Sequence, residues 1–319
     1  MNNSNRLERV NCALMVAACA AAFAAPFHLF LAAYAILGPL HYLTQISWMH
    51  DRHYFAPRPT ARRWWLVLVG LAMSVLLYGY ISNDLLQKPV KPTLEIAMVY
   101  LVFATAAFLL FVRHAVNAVA LTIAVAAGLA LFSSARAYAL LAYFIITIVH
   151  VLVFTAAFVL YGALKRKSGT AILSLGIFAA CAISFFVIPA PPLAATSPRV
   201  REMYDFFAPL NEQLIALFRL QGGVYDTHPV MRLIAFAYTY HYLNWFSKTS
   251  VIGWHHVTRM RATAIVLAWT TAVALYAIDY SIGLSVLYIL SVLHVLLEFP
   301  LNHQTFAGIG SELRSLVRT

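Results

Sequence analysis

Apolar runs of about 18 to 25 residues recur along this chain, the length that crosses a hydrocarbon core. In lipid no water satisfies backbone N–H and C=O groups, so a spanning segment must be a helix or part of a closed barrel. The runs are longer than the roughly 9–11 residues of a barrel strand, so the expected fold class is all-α, a polytopic membrane helix bundle. Composition agrees. Of 319 residues, 62% are hydrophobic and 10% charged, with a mean hydropathy of +0.79; a soluble domain carries roughly 25% charged residues. One bundle accounts for the whole length, so 1–319 reads as a single membrane domain.

The expected spans are 10–25, 27–49, 64–82, 93–112, 115–133, 137–163, 170–188, 230–247, 262–279 and 281–301, about ten transmembrane helices. The net charge of +11 does not point to nucleic acid, because the basic residues lie in the loops between spans. With N- and C-termini cytoplasmic, most Lys and Arg fall inside, among them Arg52, Arg58, Arg62, Arg63, Lys165, Arg166, Lys167, Lys248, Arg259 and Arg261, as the positive-inside rule requires. A bacterial inner (cytoplasmic) membrane is the expected location. An N-terminal signal peptide, with Ala24-Ala25-Pro26 near its end, is the alternative to the first span; an uncleaved helix closes the topology. Cys12, Cys19 and Cys181 lie in apolar spans without metal-type spacing and read as buried thiols.

One long extracytoplasmic segment is expected at 189–229. It opens with PAPPLAATSP, which cannot be helix interior. MYDFFAPLNEQLIALFRLQGG follows with near-helical spacing of apolar residues, and reads as an amphipathic surface helix over the outer mouth of the bundle.

Four histidines sit inside apolar spans: His41 in LGPLHYLTQISW, His150 in TIVHVLVF, His241 in YTYHYLNWF and His294 in VLHVLLEF. Ionisable groups at membrane depth are costly and mark function by default. Each falls on an even-numbered span, and at ~1.5 Å per residue their depths agree within about 5 Å. Imidazole is the commonest ligand for transition metals, and bundles build metal sites from facing side chains. His41, His150, His241 and His294 are therefore the expected metal ligands. Each has polar company: Thr44 and Gln45 beyond His41, Thr147 before His150, Tyr238 and Asn244 either side of His241, and Glu298 one turn after His294. Glu298 reads as a partner holding the second nitrogen of His294, as a fifth ligand, or as the catalytic carboxylate. Tyr42, Gln45, Tyr238, Asn244 and Trp245 are the expected substrate-lining residues; crowded aromatics suit a tunnel for a long apolar molecule, though they also suit plain bundle packing.

Other chemistry is sparse. His50-Asp51-Arg52-His53 matches one HxxH element of di-iron desaturases, but the chain has no HxxHH box. His50, His53, His255, His256 and His303 read as interfacial groups around a cytoplasmic entrance, and His28, His114 and His228 as incidental. Rivals to an oxygenase are another lipid-modifying metalloenzyme (hydroxylase or desaturase), a haem protein, a metal or proton transporter, and a bundle whose histidines only hydrogen-bond. Two stacked haems need histidine pairs at two depths, whereas these share one.

Four segments together resemble the Brp/Blh family, membrane enzymes that cleave β-carotene to retinal: Gly38-Pro39-Leu40-His41, the segment at His150, Tyr240-His241, and His294 with Glu298. Their order matches the family's. The chain departs from it at Val151-Leu152, where the family has Phe-Gly, and at Trp245, where it has a second histidine. The resemblance implies a mononuclear non-haem iron, Fe(II), held by four neutral imidazoles, with positions left for dioxygen. It also implies a lipophilic, carotenoid-like substrate drawn from the bilayer. The donor set equally suits another transition metal.

Overall fold

Helix follows helix along the chain because each apolar run can satisfy its backbone only internally. The computed structural model describes residues 3–82, 86–88, 93–111, 119–120, 123, 144–189, 196–226 and 228–317. Among these there is no strand. We number the helices α1 (Asn3–Ala24), α2 (Pro26–Asp51), α3 (Pro59–Tyr80), α4 (Thr93–Phe111), α5 (144–166), α6 (Gly169–Val187), α7 (Pro198–Tyr204), α8 (Ala208–Leu217), α9 (His228–Ser247), α10 (Arg259–Ile278) and α11 (Tyr280–Val317). Eight of them, all except α7, α8 and α9, are long and apolar enough to cross a membrane. They mark an integral membrane protein. The span expected at 115–133 lies outside the described residues, save the helical positions 119–120 and 123.

Local chemistry sets the boundaries. Proline opens α2, α3, α7 and α8 within the first two positions, where its missing N–H costs nothing. Ser168 and Thr258 cap α6 and α10 through side chains that accept from Ala171 N and Arg261 N. Asp279 Oδ1 accepts from Ile282 N at 3.0 Å and so caps α11. In the helices that carry the histidines, two stretches wind as π-helix: Ala33–Leu37 in α2, just before Gly38-Pro39, and Phe144–Phe154 in α5. π-turns are rare and cluster at functional sites.

Packing turns the usual soluble pattern inside out. Leu71, Leu173, Ile183, Leu267 and Ile278 are exposed, while Asn11, Asn211, Asn302 and the four intramembrane histidines are buried. α10 buries only Ala272 and Tyr276. α9 is the reverse: every residue from Val230 to Tyr242 is buried, with Asn244 and Trp245. A helix buried on all faces is the bundle's centre. It packs on α1, α2 and α6, and α11 packs on α2, α4, α5 and α10. One apolar core surrounds α9 and a second joins α3, α4 and α11. α2 and α11, which carry His41 and His294, contribute to both cores, whereas α5 and α9, which carry His150 and His241, contribute to the first.

Two expectations are corrected. The last helix does not stop near 301 but continues through Pro300 to Val317. At ~1.5 Å per residue its 38 residues far exceed a core of about 30 Å. Pro300 cannot donate the backbone bond to the Leu296 carbonyl, yet the helix runs on, and side chains beyond it tie α11 to other segments. Here His303 Nε2 meets the Phe103 carbonyl at 2.9 Å, and Gln304 Nε2 donates to the Phe55 carbonyl at 2.6 Å. The 189–229 segment, in turn, holds two short helices in place of one, because Pro209 cannot sit in a helix interior and begins α8 after a 3-10 turn at Asp205–Phe207. Tyr204, Phe207, Leu210 and Leu214 turn inward.

Candidate metal centre

His41 projects from α2 three residues after Gly38, which lies against the hydroxyls of Tyr42 and Tyr242. His150 sits within the π-wound part of α5, His241 midway along α9 and His294 in α11. All four are buried. Their rings close a circuit: centroids are 4.8 Å apart for His41–His241, 5.2 Å for His241–His150, 5.0 Å for His150–His294 and 5.3 Å for His294–His41. The four residues expected to converge are therefore brought together in one cluster.

The nitrogens divide into held and free. His241 Nδ1 is 2.8 Å from Thr155 Oγ1 and His294 Nδ1 is 2.7 Å from the Ser291 carbonyl. Because a carbonyl only accepts, His294 carries its proton on Nδ1 and turns an Nε2 lone pair inward. His241 Nε2 faces His41 Nε2 at 3.2 Å. His294 Nε2, both nitrogens of His150, His41 Nδ1 and Glu298 Oε1 have no hydrogen-bond partner although buried. So many orphaned polar atoms in one place call for an explanation. One nitrogen each of His41, His241 and His294 lie within 4.8 Å of one another, as do donors of His150, His294 and Glu298. His294 belongs to both groups, so the two triads adjoin at this residue. Two ligands at right angles on one ion, with metal–nitrogen bonds of roughly 2.0–2.1 Å, stand about 3 Å apart; the facing pair fits. The cluster can hold a metal ion.

Glu298 needs one correction. It is not the partner of the second nitrogen of His294, which the Ser291 carbonyl occupies. Instead Glu298 Oε2 accepts from Gln45 Nε2 at 2.5 Å and lies 3.8 Å from His150 Nε2. Thr44 bonds the Leu40 carbonyl and receives Trp245 Nε1 at 3.0 Å, so it braces α2 against α9 beside His41. Neither Tyr238 nor Asn244 bonds His241. Thr147 falls outside the described side chains. Thr155 and Ser291 were not legible as partners. Thr155 stands five residues past His150, beyond the i+3 and i+4 positions of an α-helix, and a backbone carbonyl carries no sequence signal.

Two cavities meet at the cluster. The first, about 420 Å³, lies toward α7 and α8; Tyr42, Tyr238, Tyr242, His150, His241 and His294 line it, with Phe206, Phe207 and Pro209 over its end. Leu76 of α3, Glu95, Ile96 and Val99 of α4, and Val292 of α11 form its side. The second, about 360 Å³, runs from His41, His241 and Glu298 to Lys165, Arg166 and Lys248; Gln45, Asn244 and Trp245 line it. The five expected lining residues thus divide between the two cavities. The end histidines do not border the second cavity's mouth. His303 is tied to Phe103, and the rings of His255 and His256 lie 4.0 Å apart, tilted by 53°.

No protein-family model, curated protein or solved structure matches this chain.

Proposed function

We propose that the protein is a membrane-embedded, histidine-ligated non-haem iron oxygenase acting on a lipophilic substrate of polyene type. One observation supports the reading: four buried imidazoles from four helices lie ring beside ring in a closed circuit, with several nitrogens lacking any hydrogen-bond partner. His41, His150, His241 and His294 would hold the ion, with Glu298 beside it. Bound iron(II) would supply the activation of dioxygen that an apolar molecule otherwise resists. The chain's own residues do the rest. Thr155 and the Ser291 carbonyl fix the orientation of two rings. Tyr34, Tyr42, Tyr238 and Val292 offer an apolar, aromatic wall to the substrate and keep water from the reacting atoms. The side of the first cavity, between α3, α4 and α11, supports entry from the bilayer. The basic Lys165–Lys248 end would face the cytoplasm. The resemblance of the four histidine segments to the Brp/Blh enzymes supports iron and a carotenoid-like molecule over other metals and lipids.

Elemental analysis of detergent-purified protein, with an absorption spectrum of the same sample, tests this. About one iron per chain without a Soret band is expected. Folded, unstripped protein without stoichiometric metal would refute the reading.

A second reading, metal or proton transport, draws on the cavities reaching the cluster from both ends. Metal flux into proteoliposomes would favour it; a retained, non-exchanging ion favours the enzyme.

A further inference from the structure

The second cavity has a character that the histidine centre does not explain. Its walls at Trp48, Phe158, Val159 and Leu301 are apolar, while its far end gathers Glu8, Lys165, Arg166 and Lys248. Glu8 is engaged there, because its Oε1 accepts from Arg166 Nη2 at 2.5 Å. The charges of the two lysines are left over. Lys165 Nζ lies over the Tyr161 ring at 5.8 Å, and the Lys248 ammonium makes no side-chain hydrogen bond among the described residues. Burial brings the Lys248 ammonium down to about 8, with Glu8 opposing the shift and Arg166 adding to it. A partly buried cation at the head of an apolar tunnel lacks the acceptor that would compensate its desolvation.

We propose that this cavity binds a single-chain anionic amphiphile of fatty-acid type, its carboxylate against Lys248 and Lys165 and its chain pointing at the histidine centre. The dimensions agree. Lys248 stands seven residues after His241 and Lys165 ten after Thr155, about 10–15 Å along their helices. A volume near 360 Å³ is at the small end of the roughly 300–1,000 Å³ range of small-molecule sites, and suits one chain better than the two of a phospholipid. The binding goes beyond the metal reading and needs neither ion nor turnover.

Trp48 and Trp245 line the cavity, so indole fluorescence reports its occupant. The full-length protein in neutral detergent is titrated with a long-chain fatty acid carrying a nitroxide quencher on its chain, and with the methyl ester of the same probe. Saturable quenching is expected, with the acid bound about tenfold or more tightly than the ester. Lys248→Gln is expected to remove most of that preference while leaving the ester unchanged. Equal binding of acid and ester by the native protein overturns the proposal, and needs no variant. So does a Lys248→Gln protein that keeps the preference, or a two-chain anionic phospholipid with the same label that quenches as strongly. The preference is expected to persist in metal-free protein, so a failed metal analysis and a failed amphiphile site are told apart.

Discussion

His41 and His241, 200 residues apart in the chain, face each other Nε2 to Nε2 at 3.2 Å. As a hydrogen bond this pair would satisfy two nitrogens and leave the rest of the cluster orphaned. As two ligands of one ion, with His294 as the third, it accounts for His294 Nε2 as well.

That difference gives the first prediction. Replacing His41, His150, His241 or His294 by Ala should lower metal affinity more than about 100-fold, above the 10–100-fold cost of losing an outer-shell partner. His28→Ala and His228→Ala should leave it unchanged. Metal content after gel filtration reads the result. Loss of metal in the two control variants would break the assignment.

Thr155 supplies a finer test, because it touches His241 and is not itself a proposed ligand. Thr155→Val keeps the shape and removes the hydroxyl that steadies the ring. Metal affinity should fall about 10–100-fold, and Thr155→Ser should restore most of it. A Val variant with native affinity would mean that packing alone holds His241.

How much of this was legible in the sequence depends on which interaction fixed each part. Apolar length fixed the helices, since lipid leaves the backbone no alternative. Matched depth brought His41, His150, His241 and His294 together on paper, because helical rise converts residue number into distance. Ring orientation was not legible. It depends on Thr155, on a carbonyl of Ser291, and on two π-wound stretches whose extra residue per turn rotates every later side chain. The continuation of α11 past Pro300 was hidden for a related reason, because the side chains that anchor it there, His303 and Gln304, bond Phe103 and Phe55 on other segments.

Glu298 is wholly buried, one oxygen bonded to Gln45 and the other without a partner. Glu298→Gln preserves volume and removes the charge. If the free oxygen faces the ion, metal retention or turnover should drop by about tenfold or more, while the melting temperature moves only a few degrees. Unchanged metal binding and turnover would make Glu298 a structural partner of Gln45.

Gly308 of α11 lies against the Tyr161 ring of α5, so tightly that a Cβ there would overlap the ring. Tyr161 also lines the second cavity. Gly308→Ala should destabilise the protein by about 1–3 kcal/mol through overpacking, read as a lower melting temperature in detergent. It should also weaken amphiphile binding by pushing Tyr161 into the cavity. Wild-type values for both would show that α5 and α11 part without cost.

The charge on Lys248 sets the pH dependence of that binding. Burial lowers its ammonium to about 8, from a usual value near 10.4. A carboxylate held against a cation is kept ionised, so within the site the lysine is the group that changes. Below about 8 the cation is present and the acid binds; above it the proton leaves and the attraction goes with it. The other charges facing Lys248 are Glu8 and Arg166, already paired with each other, and Lys165, which is solvent-exposed. None of those three removes the trend. A bound carboxylate stabilises the ammonium, so the midpoint should move upward with ligand, and binding near the midpoint should take up protons. Titrations of the quencher-labelled acid across this range should show affinity falling as pH rises, with the methyl ester flat. A falling ester curve would instead point to a pH-dependent change in the protein, and a flat acid curve would remove Lys248 from the site.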